Sequence, residues 1–237
     1  MVVATATRQA PIRLQRWEYK EAKFFAPLSE GVIWLRGKAG SGKTATAVDI
    51  AYKLRKYFGK MPVLDFHPKP AFGEYEYMGP REFVAMLEKM GDLLESGNIE
   101  GMDENALEKM FAEHLNIHLL NATIVLDEAY RYLRNRHPTK RLVLAYGDFI
   151  QTWRHYHLTV IMCSPGHEID KRAVGQTTLE LSCAFDKRSG KVMAKGRDNN
   201  TMEGVRLITP MSWCGELYDS WNPLAILRRR KIEVQGL

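Results

Sequence analysis

A glycine-rich segment near residue 40 has the residue types and the spacing of a phosphate-binding loop. Glycines stand at positions 37 and 42, and Lys43 and Thr44 follow directly. Glycines let backbone N–H groups turn toward phosphate oxygens, and a helix that begins at such a loop favours an anion at its N-terminus. We therefore predict that this loop binds ATP. The predicted nucleotide-binding residues are Gly37, Lys38, Ala39, Gly40, Ser41, Gly42, Lys43 and Thr44.

Two acidic residues, Asp127 and Glu128, follow an unbroken apolar run and complete the predicted chemistry. We expect Lys43 to reach the β and γ phosphates and to act in catalysis. Mg²⁺ prefers hard oxygen ligands, so Thr44 and Asp127 are predicted to hold the ion. Glu128 can accept a proton from the water that attacks the γ phosphate, which makes it the predicted catalytic base. Asp-Glu is a common surface dipeptide, and only its setting indicates a Walker B pair.

The elements that must position these residues are predicted to alternate between strands and helices. Continuous apolar runs have the composition of strands buried on both faces, which is typical of a parallel sheet. The predicted parallel strands cover 32–35, 62–65, 122–126 and 158–163, and the predicted helices cover 43–57, 79–95, 103–115 and 139–155. Strand 32–35 leads into the phosphate loop, and strand 122–126 leads into Asp127.

The chain changes its pattern after residue 170. Short alternating segments at 178–185, 191–195 and 205–208 predict antiparallel strands at one edge of the sheet. The whole pattern indicates an α/β fold of the P-loop NTPase class (RecA/ASCE-like). We expect a mainly parallel central sheet flanked by helices, with an antiparallel C-terminal extension.

Composition places the chain among ordinary globular proteins. It has 237 residues, 45% of them hydrophobic, and a net charge of +6, which suits a polyanionic partner. No apolar run reaches the roughly 20 residues that span a bilayer, so we expect a cytoplasmic protein. The three cysteines show no metal-ligand spacing. The predicted organisation is an N-terminal arm (1–30), a P-loop ATPase domain (31–220) and a basic tail (221–237).

The chain resembles the FtsK–HerA superfamily of DNA-pumping ATPases over about residues 31–172. The resemblance is carried by the phosphate loop, the Asp127-Glu128 pair, Asp65 after the second strand, Arg154 before the strand 158–163, and the segment 169–172. Without large accessory regions, it looks most like the genome-packaging ATPases of viruses with internal membranes. That likeness implies a ring, usually of six subunits, that drives double-stranded DNA into a preformed capsid in the host cytoplasm, with or without association with the virion.

The resemblance also implies two roles near the γ phosphate, a sensor and an arginine from a neighbouring subunit. The family places a glutamine sensor at the end of the fourth strand, where this chain has Ser164, whose hydroxyl can donate and accept a hydrogen bond. Ring ATPases use an arginine from a neighbouring subunit to neutralise transition-state charge. Arg154 and Arg172 are the candidates, with other arginines such as Arg197 and Arg206 left open.

Other partners and functions stay open at this stage. A basic aromatic cluster follows the Walker B pair and is predicted either to track a phosphate backbone or to form a solvated helix face. Its members are Tyr130, Arg131, Tyr132, Arg134, Arg136 and His137. A capsid or membrane protein at the portal vertex is a further expected partner. The alternative functions are a filamentous-phage (Zot-like) assembly ATPase, a nucleotide-switch regulator and a small-molecule kinase.

Overall fold

The computed structural model describes residues 16–95, 102–103, 106, 109, 121–133, 143, 145–147, 149–150, 157–166 and 169–218. The helices are α1 (Arg16–Phe25), α2 (Lys43–Phe58), α3 (Pro80–Glu95), α4 (Lys171–Gly175) and α5 (Met211–Leu217). The strands are β1 (Gly31–Arg36), β2 (Met61–Leu64), β3 (Glu76–Tyr77), β4 (Ala122–Leu126), β5 (Thr159–Ser164), β6 (Leu179–Asp186), β7 (Lys191–Asp198) and β8 (Gly204–Pro210).

These strands form one sheet with the order β3-β2-β4-β5-β1-β6-β7-β8. The pairs from β3 to β6 are parallel, and β7 and β8 continue the sheet in antiparallel pairs. Strand β5 lies between β1, which ends at the phosphate loop, and β4, which ends at Asp127. The carboxyl ends of the parallel strands therefore bring both predicted motifs to the same edge of the sheet.

Two apolar layers cover the parallel part of the sheet. One layer contains α2, whose Ala47, Ile50, Ala51 and Leu54 are almost fully buried against the sheet. The opposite layer contains α3 and the helical residues near 145–150, including the fully buried Phe83 and Phe149. Burial on both faces explains why the strands β4 and β5 are continuous apolar runs.

Glycines set both ends of α2. Gly42 precedes the helix with φ +89°, and Gly59 follows it with φ +65°. Both angles lie in the left-handed region that favours glycine. The Gly59 N–H donates to the carbonyls of Arg55 and Leu54, which satisfies the end of the helix.

The predicted fold class is confirmed, with a few shifts in detail. The parallel strands and the helices α2 and α3 lie within one or two residues of their predicted bounds. The predicted antiparallel extension is confirmed for β7 and β8 but wrong for the start of the segment, because β6 pairs in parallel with β1. The crossover through α4 returns the chain to the direction of β5 before β6 begins. The helix α5 was not predicted, because its seven residues are too few to show a helical period. The predicted helices 103–115 and 139–155 lie largely outside the described residues, as does the basic tail, and the domain boundaries stay predictions.

The N-terminal arm packs on the domain through its second half. Phe25 and Leu28 are buried in the same layer as α2. Lys53 of α2 forms an ion pair with Glu21 at 3.1 Å. Along the described parts of the chain, no helix has the length and apolar character needed to cross a bilayer.

Candidate nucleotide-binding site

The phosphate loop occupies the turn between β1 and α2. Gly37 has φ +151° and Gly42 has φ +89°, which L side chains rarely adopt. A Cβ at Gly42 would lie 2.2 Å from Cγ2 of Val192, so β7 packs directly against the loop. Glycine at position 42 thus serves both the backbone turn and the contact with the C-terminal extension.

Lys43 lies folded over the loop that it follows. Its Nζ donates to the carbonyl of Gly37 at 2.8 Å and to the carbonyl of Lys38 at 3.0 Å. These contacts hold the ammonium group at the mouth of the loop. The lysine is therefore placed where the sequence pattern requires a positive charge for the terminal phosphates.

Thr44 and Asp127 meet across the site. The Thr44 hydroxyl donates to Oδ1 of Asp127 at 2.9 Å, although the two residues are far apart in the sequence. Burial raises the pKa of Asp127, while this hydrogen bond acts in the opposite direction. A hydroxyl and a carboxylate are hard oxygen donors, so the pair fits the chemistry of a Mg²⁺ site.

Glu128 has an unusual backbone conformation and a charged partner. Its φ of +51° and ψ of +48° lie in the left-handed region, which costs about 1 kcal/mol or more for a residue other than glycine. Its carboxylate forms an ion pair with Arg131. The backbone N–H of Glu128 donates to Oδ1 of Asp127 at 3.2 Å. The turn therefore holds the two acidic residues side by side while directing their side chains to different partners.

Asp65 is the third carboxylic acid at this edge. It follows β2 directly, and burial raises its pKa to about 7, with a further contribution from the charge of Asp127. The hydroxyl of Tyr132 donates to its Oδ2 at 2.7 Å. Tyr132 is only 6% exposed, so both predictions for the basic aromatic cluster, phosphate tracking and a solvated helix face, are wrong for this residue. Nothing in the sequence around Tyr132 indicates its contact with Asp65.

Ser164 ends β5 beside the phosphate loop. Its carbonyl accepts a hydrogen bond from the Gly37 N–H at 3.3 Å, and its Oγ accepts one from the Trp34 indole at 2.8 Å. The residue is fully buried. The serine therefore connects β5, β1 and the loop, and its role as a phosphate sensor stays a prediction.

The structure gives different information on the two candidate arginines. Arg172 lies in the first turn of α4, where its Nε contacts Oδ1 of Asp170 at 3.3 Å and half of its side chain is exposed. That exposure leaves it accessible to a neighbouring molecule. Arg154 lies outside the described residues, together with Arg134, Arg136 and His137 of the basic cluster. The assignment of either arginine to a neighbour's site stays a prediction.

The structure adds two apolar residues that the sequence did not indicate. Phe185 near the end of β6 and Met211 at the start of α5 line a cavity of about 210 Å³ beside the loop. Residues 40 and 42–45 form the other side of this cavity. Both residues come from the antiparallel extension, and nothing in the alternation of that segment relates them to the phosphate loop.

No family model matches this chain, and no curated protein matches it by sequence. Among solved structures, the N-terminal domain of zonular occludens toxin from Neisseria meningitidis aligns with 80% of this chain and 99% of that domain, at 12% identity and a TM-score of 0.51. At this identity the likeness describes the fold. The chain has a P-loop NTPase fold.

Two further solved structures align with most of this chain at lower TM-scores. The genome packaging NTPase B204 from Sulfolobus turreted icosahedral virus 2, in complex with AMPPCP, covers 75% of this chain and 97% of its own, at 13% identity and a TM-score of 0.49. The ATPase domain of G40P covers 81% of this chain and 85% of its own, at 8% identity and a TM-score of 0.47.

Proposed function

We propose that this protein is a Mg²⁺-dependent ATPase that moves double-stranded DNA, and that it packages a viral genome into a preformed capsid. The observation that carries the ATPase part is the 2.9 Å hydrogen bond between Thr44 and Asp127, with Glu128 next to it. This contact joins the phosphate loop to the Walker B pair at one edge of the sheet.

Each residue at this edge has a defined task in the proposed reaction. Lys43 and the loop amides bind the β and γ phosphates, and Thr44 and Asp127 hold Mg²⁺, which neutralises phosphate charge when it is bound. Glu128 accepts a proton from the attacking water. The water oxygen bonds to the γ phosphorus, the bond to the bridging oxygen breaks, and ADP and phosphate result.

The proposed coupling to DNA rests on charge and on the resemblance of the sequence motifs to DNA-pumping ATPases. The chain carries a net charge of +6, and Lys and Arg neutralise phosphates without reading sequence. We propose a ring of identical subunits, with six as the expected number, in which Arg172 or Arg154 reaches the neighbour's nucleotide. A capsid or membrane protein at the portal vertex and the host cytoplasm complete the proposed setting.

The first experiment measures ATP turnover with and without linear double-stranded DNA. Glu128→Gln keeps the shape of the side chain and removes the base, so we expect turnover to fall by about 10²-fold or more. The matched control is Glu203→Gln, an exposed glutamate between β7 and β8, which should behave like the wild type. We expect DNA to raise the ATP turnover of the wild type and of this control severalfold.

Three outcomes would contradict parts of the proposal. Robust turnover that ignores DNA would favour an assembly or regulatory ATPase over a DNA motor. Nucleotide binding without turnover would favour a switch. Turnover that survives in Glu128→Gln would remove the proposed catalytic base.

A further inference from the structure

The cavity beside the phosphate loop is lined by two chemically different sets of residues. The loop and the start of α2 contribute Lys43 and Thr44, which are assigned to phosphate and Mg²⁺ in the proposed function. The chain after residue 178 contributes Phe185 and Met211, which are both apolar and are called the apolar wall below. Within the described parts of the chain, no other polar side chain lines this cavity.

We propose that Phe185 and Met211 hold the nucleobase of the bound triphosphate, and that this subsite accepts purine and pyrimidine bases alike. The inference rests on the proposed function, because the triphosphate must occupy the phosphate loop. The ligand class is therefore a nucleoside triphosphate of any common base, with purines bound somewhat more tightly through their larger rings.

An aromatic ring and a thioether suit a flat, polarisable ligand. Stacking of a base on an aromatic side chain strengthens binding by about 5–100-fold and tolerates any base, because every base has a π face. The sulfur of a methionine adapts to surfaces of different shape. These two side chains line the same cavity of about 210 Å³ as the phosphate loop, so a base attached to the bound phosphates has to lie close to them.

Hydrogen bonds fix α5, which carries Met211, to the β6–β7 turn and to α2, the helix that follows the phosphate loop. The Met211 N–H donates to the carbonyl of Gly190 in the β6–β7 turn at 3.0 Å. In the next turn of α5, Cys214 Sγ donates to the carbonyl of Ala45 at 3.3 Å. The Trp213 indole donates to Oδ1 of the buried Asp49 of α2 at 3.2 Å. The wall and the helix that follows the loop thus form one packed unit.

The chemistry of the wall explains the proposed tolerance for different bases. An enzyme rejects a near-isosteric substrate strongly only where buried polar groups are left without partners by the wrong ligand, whereas apolar contacts discriminate by about 10–200-fold at most. The side chain of Phe185 has no hydrogen-bonding group, and the thioether of Met211 is only a weak acceptor. Adenine and guanine therefore present nearly the same surface to this subsite.

The test measures dissociation constants by calorimetry for the full chain with Mg²⁺. The ligands are the β,γ-methylene analogues of ATP, GTP and CTP, and tripolyphosphate, which lacks a base. We expect the two purine analogues to bind within about fivefold of each other, and the CTP analogue within about tenfold, because only ring size differs. Tripolyphosphate should bind more weakly than all three.

Variants of the aromatic residue separate the base from the phosphates. Phe185→Ala should weaken each nucleotide by about 5–100-fold, as expected for a lost stacking partner, and should leave tripolyphosphate unchanged. Phe185→Leu keeps apolar bulk and should lose less. The matched control is Phe24→Ala, at a phenylalanine of α1 that is 46% exposed, and it should bind all four ligands like the wild type.

Specific results would overturn the inference. A preference of more than about 100-fold between the ATP and GTP analogues would show polar readout of the base. Unchanged nucleotide affinity in both Phe185→Ala and Phe185→Leu would place the base elsewhere. If the wild type binds tripolyphosphate as tightly as the three nucleotide analogues, the proposed base subsite is wrong but the proposed function stands. If no ligand binds at all, the proposed function fails with it.

Discussion

The two edges of the parallel sheet both carry charged residues, but they arrange the charges differently. At the carboxyl edge, three acidic residues stand together, Asp65, Asp127 and Glu128, and Arg131 pairs with the last of them. At the amino edge, no such group of like charges is found among the described residues, and a lysine and a glutamate meet at one histidine. Lys60 donates to the carbonyl of His157, whose ring contacts Glu30 at 2.6 Å.

This difference is the one expected if the carboxyl edge binds a cation with the nucleotide, as proposed, and the amino edge only joins strands. A neighbouring carboxylate raises the pKa of an acid, and both burial and the charge of Asp127 raise the pKa of Asp65. Such crowding destabilises a protein unless a cation offsets it. Backbone strain does not distinguish the edges, because Glu128 at one edge and Asn121 and His157 at the other all have positive φ. The arrangement of charge does.

The largest expected effect concerns Asp127 at the carboxyl edge. We expect Asp127→Asn to lower ATP turnover by about 10²-fold or more, because a neutral amide is a poor ligand for Mg²⁺. Without Mg²⁺ at pH 7, the free energy of unfolding of this variant should equal or exceed that of the wild type, because burial disfavours the charged carboxylate of Asp127. Steady-state kinetics and urea unfolding measure the two quantities. A large loss of stability in Asp127→Asn would contradict the view that crowded carboxylates destabilise the carboxyl edge.

The next effect concerns the buried lysine at the amino edge. Burial lowers the pKa of Lys60 to about 8. Between this value and about 10.4, the unfolded chain holds more protons than the folded chain, so stability must rise with pH. We expect the free energy of unfolding of the wild type to gain about 2–3 kcal/mol relative to Lys60→Met over this interval.

The measurement for Lys60 is urea unfolding at several pH values from 7 to 10.5. The exposed Lys187→Met serves as the control and should follow the wild type. ATP turnover of Lys60→Met at pH 7 should stay close to that of the wild type, because the residue is at the edge opposite the phosphate loop. If the free energies of unfolding of Lys60→Met and the wild type change with pH in the same way, the pKa of Lys60 is not lowered by burial.

The smallest effect concerns the ion pair between Glu128 and Arg131. The two side chains are 41% and 60% exposed, so the pair contributes about 1 kcal/mol or less. We expect Arg131→Ala to release the proposed base and to raise turnover without DNA by about two- to fivefold. Arg188→Ala, in the exposed turn after β6, is the control. A fall in turnover of Arg131→Ala would assign Arg131 to the reaction itself.

Much of the phosphate end of the site could be predicted from the sequence. The positions of Gly37, Gly42, Lys43 and Thr44 follow from one short segment, because a phosphate loop is a local turn that leads into a helix. Asp127 was predictable because a buried strand appears in the sequence as an apolar run. The first charged residue after that run marks the end of the strand. The contact between Thr44 and Asp127 then depends only on parallel strands that end at a common edge.

The base end of the site could not be predicted in the same way. Phe185 and Met211 belong to a strand and a helix of the extension, and their place beside the loop depends on how the β6–β7 hairpin and α5 pack on α2. Tyr132 shows the same limit, because its contact with Asp65 joins two turns from different parts of the chain. Contacts between distant segments leave no periodic pattern in either segment.

The sequence by itself determined the fold class, the phosphate loop and the acidic pair, because local backbone chemistry and burial of strands leave direct patterns. Only the tertiary structure decided the strand order, which inserts β5 between β1 and β4, and the apolar wall formed by Phe185 and Met211. The physical reason is that the strand order and the apolar wall depend on how the strands and helices pack on one another. One pattern of apolar residues along the chain is compatible with many such arrangements.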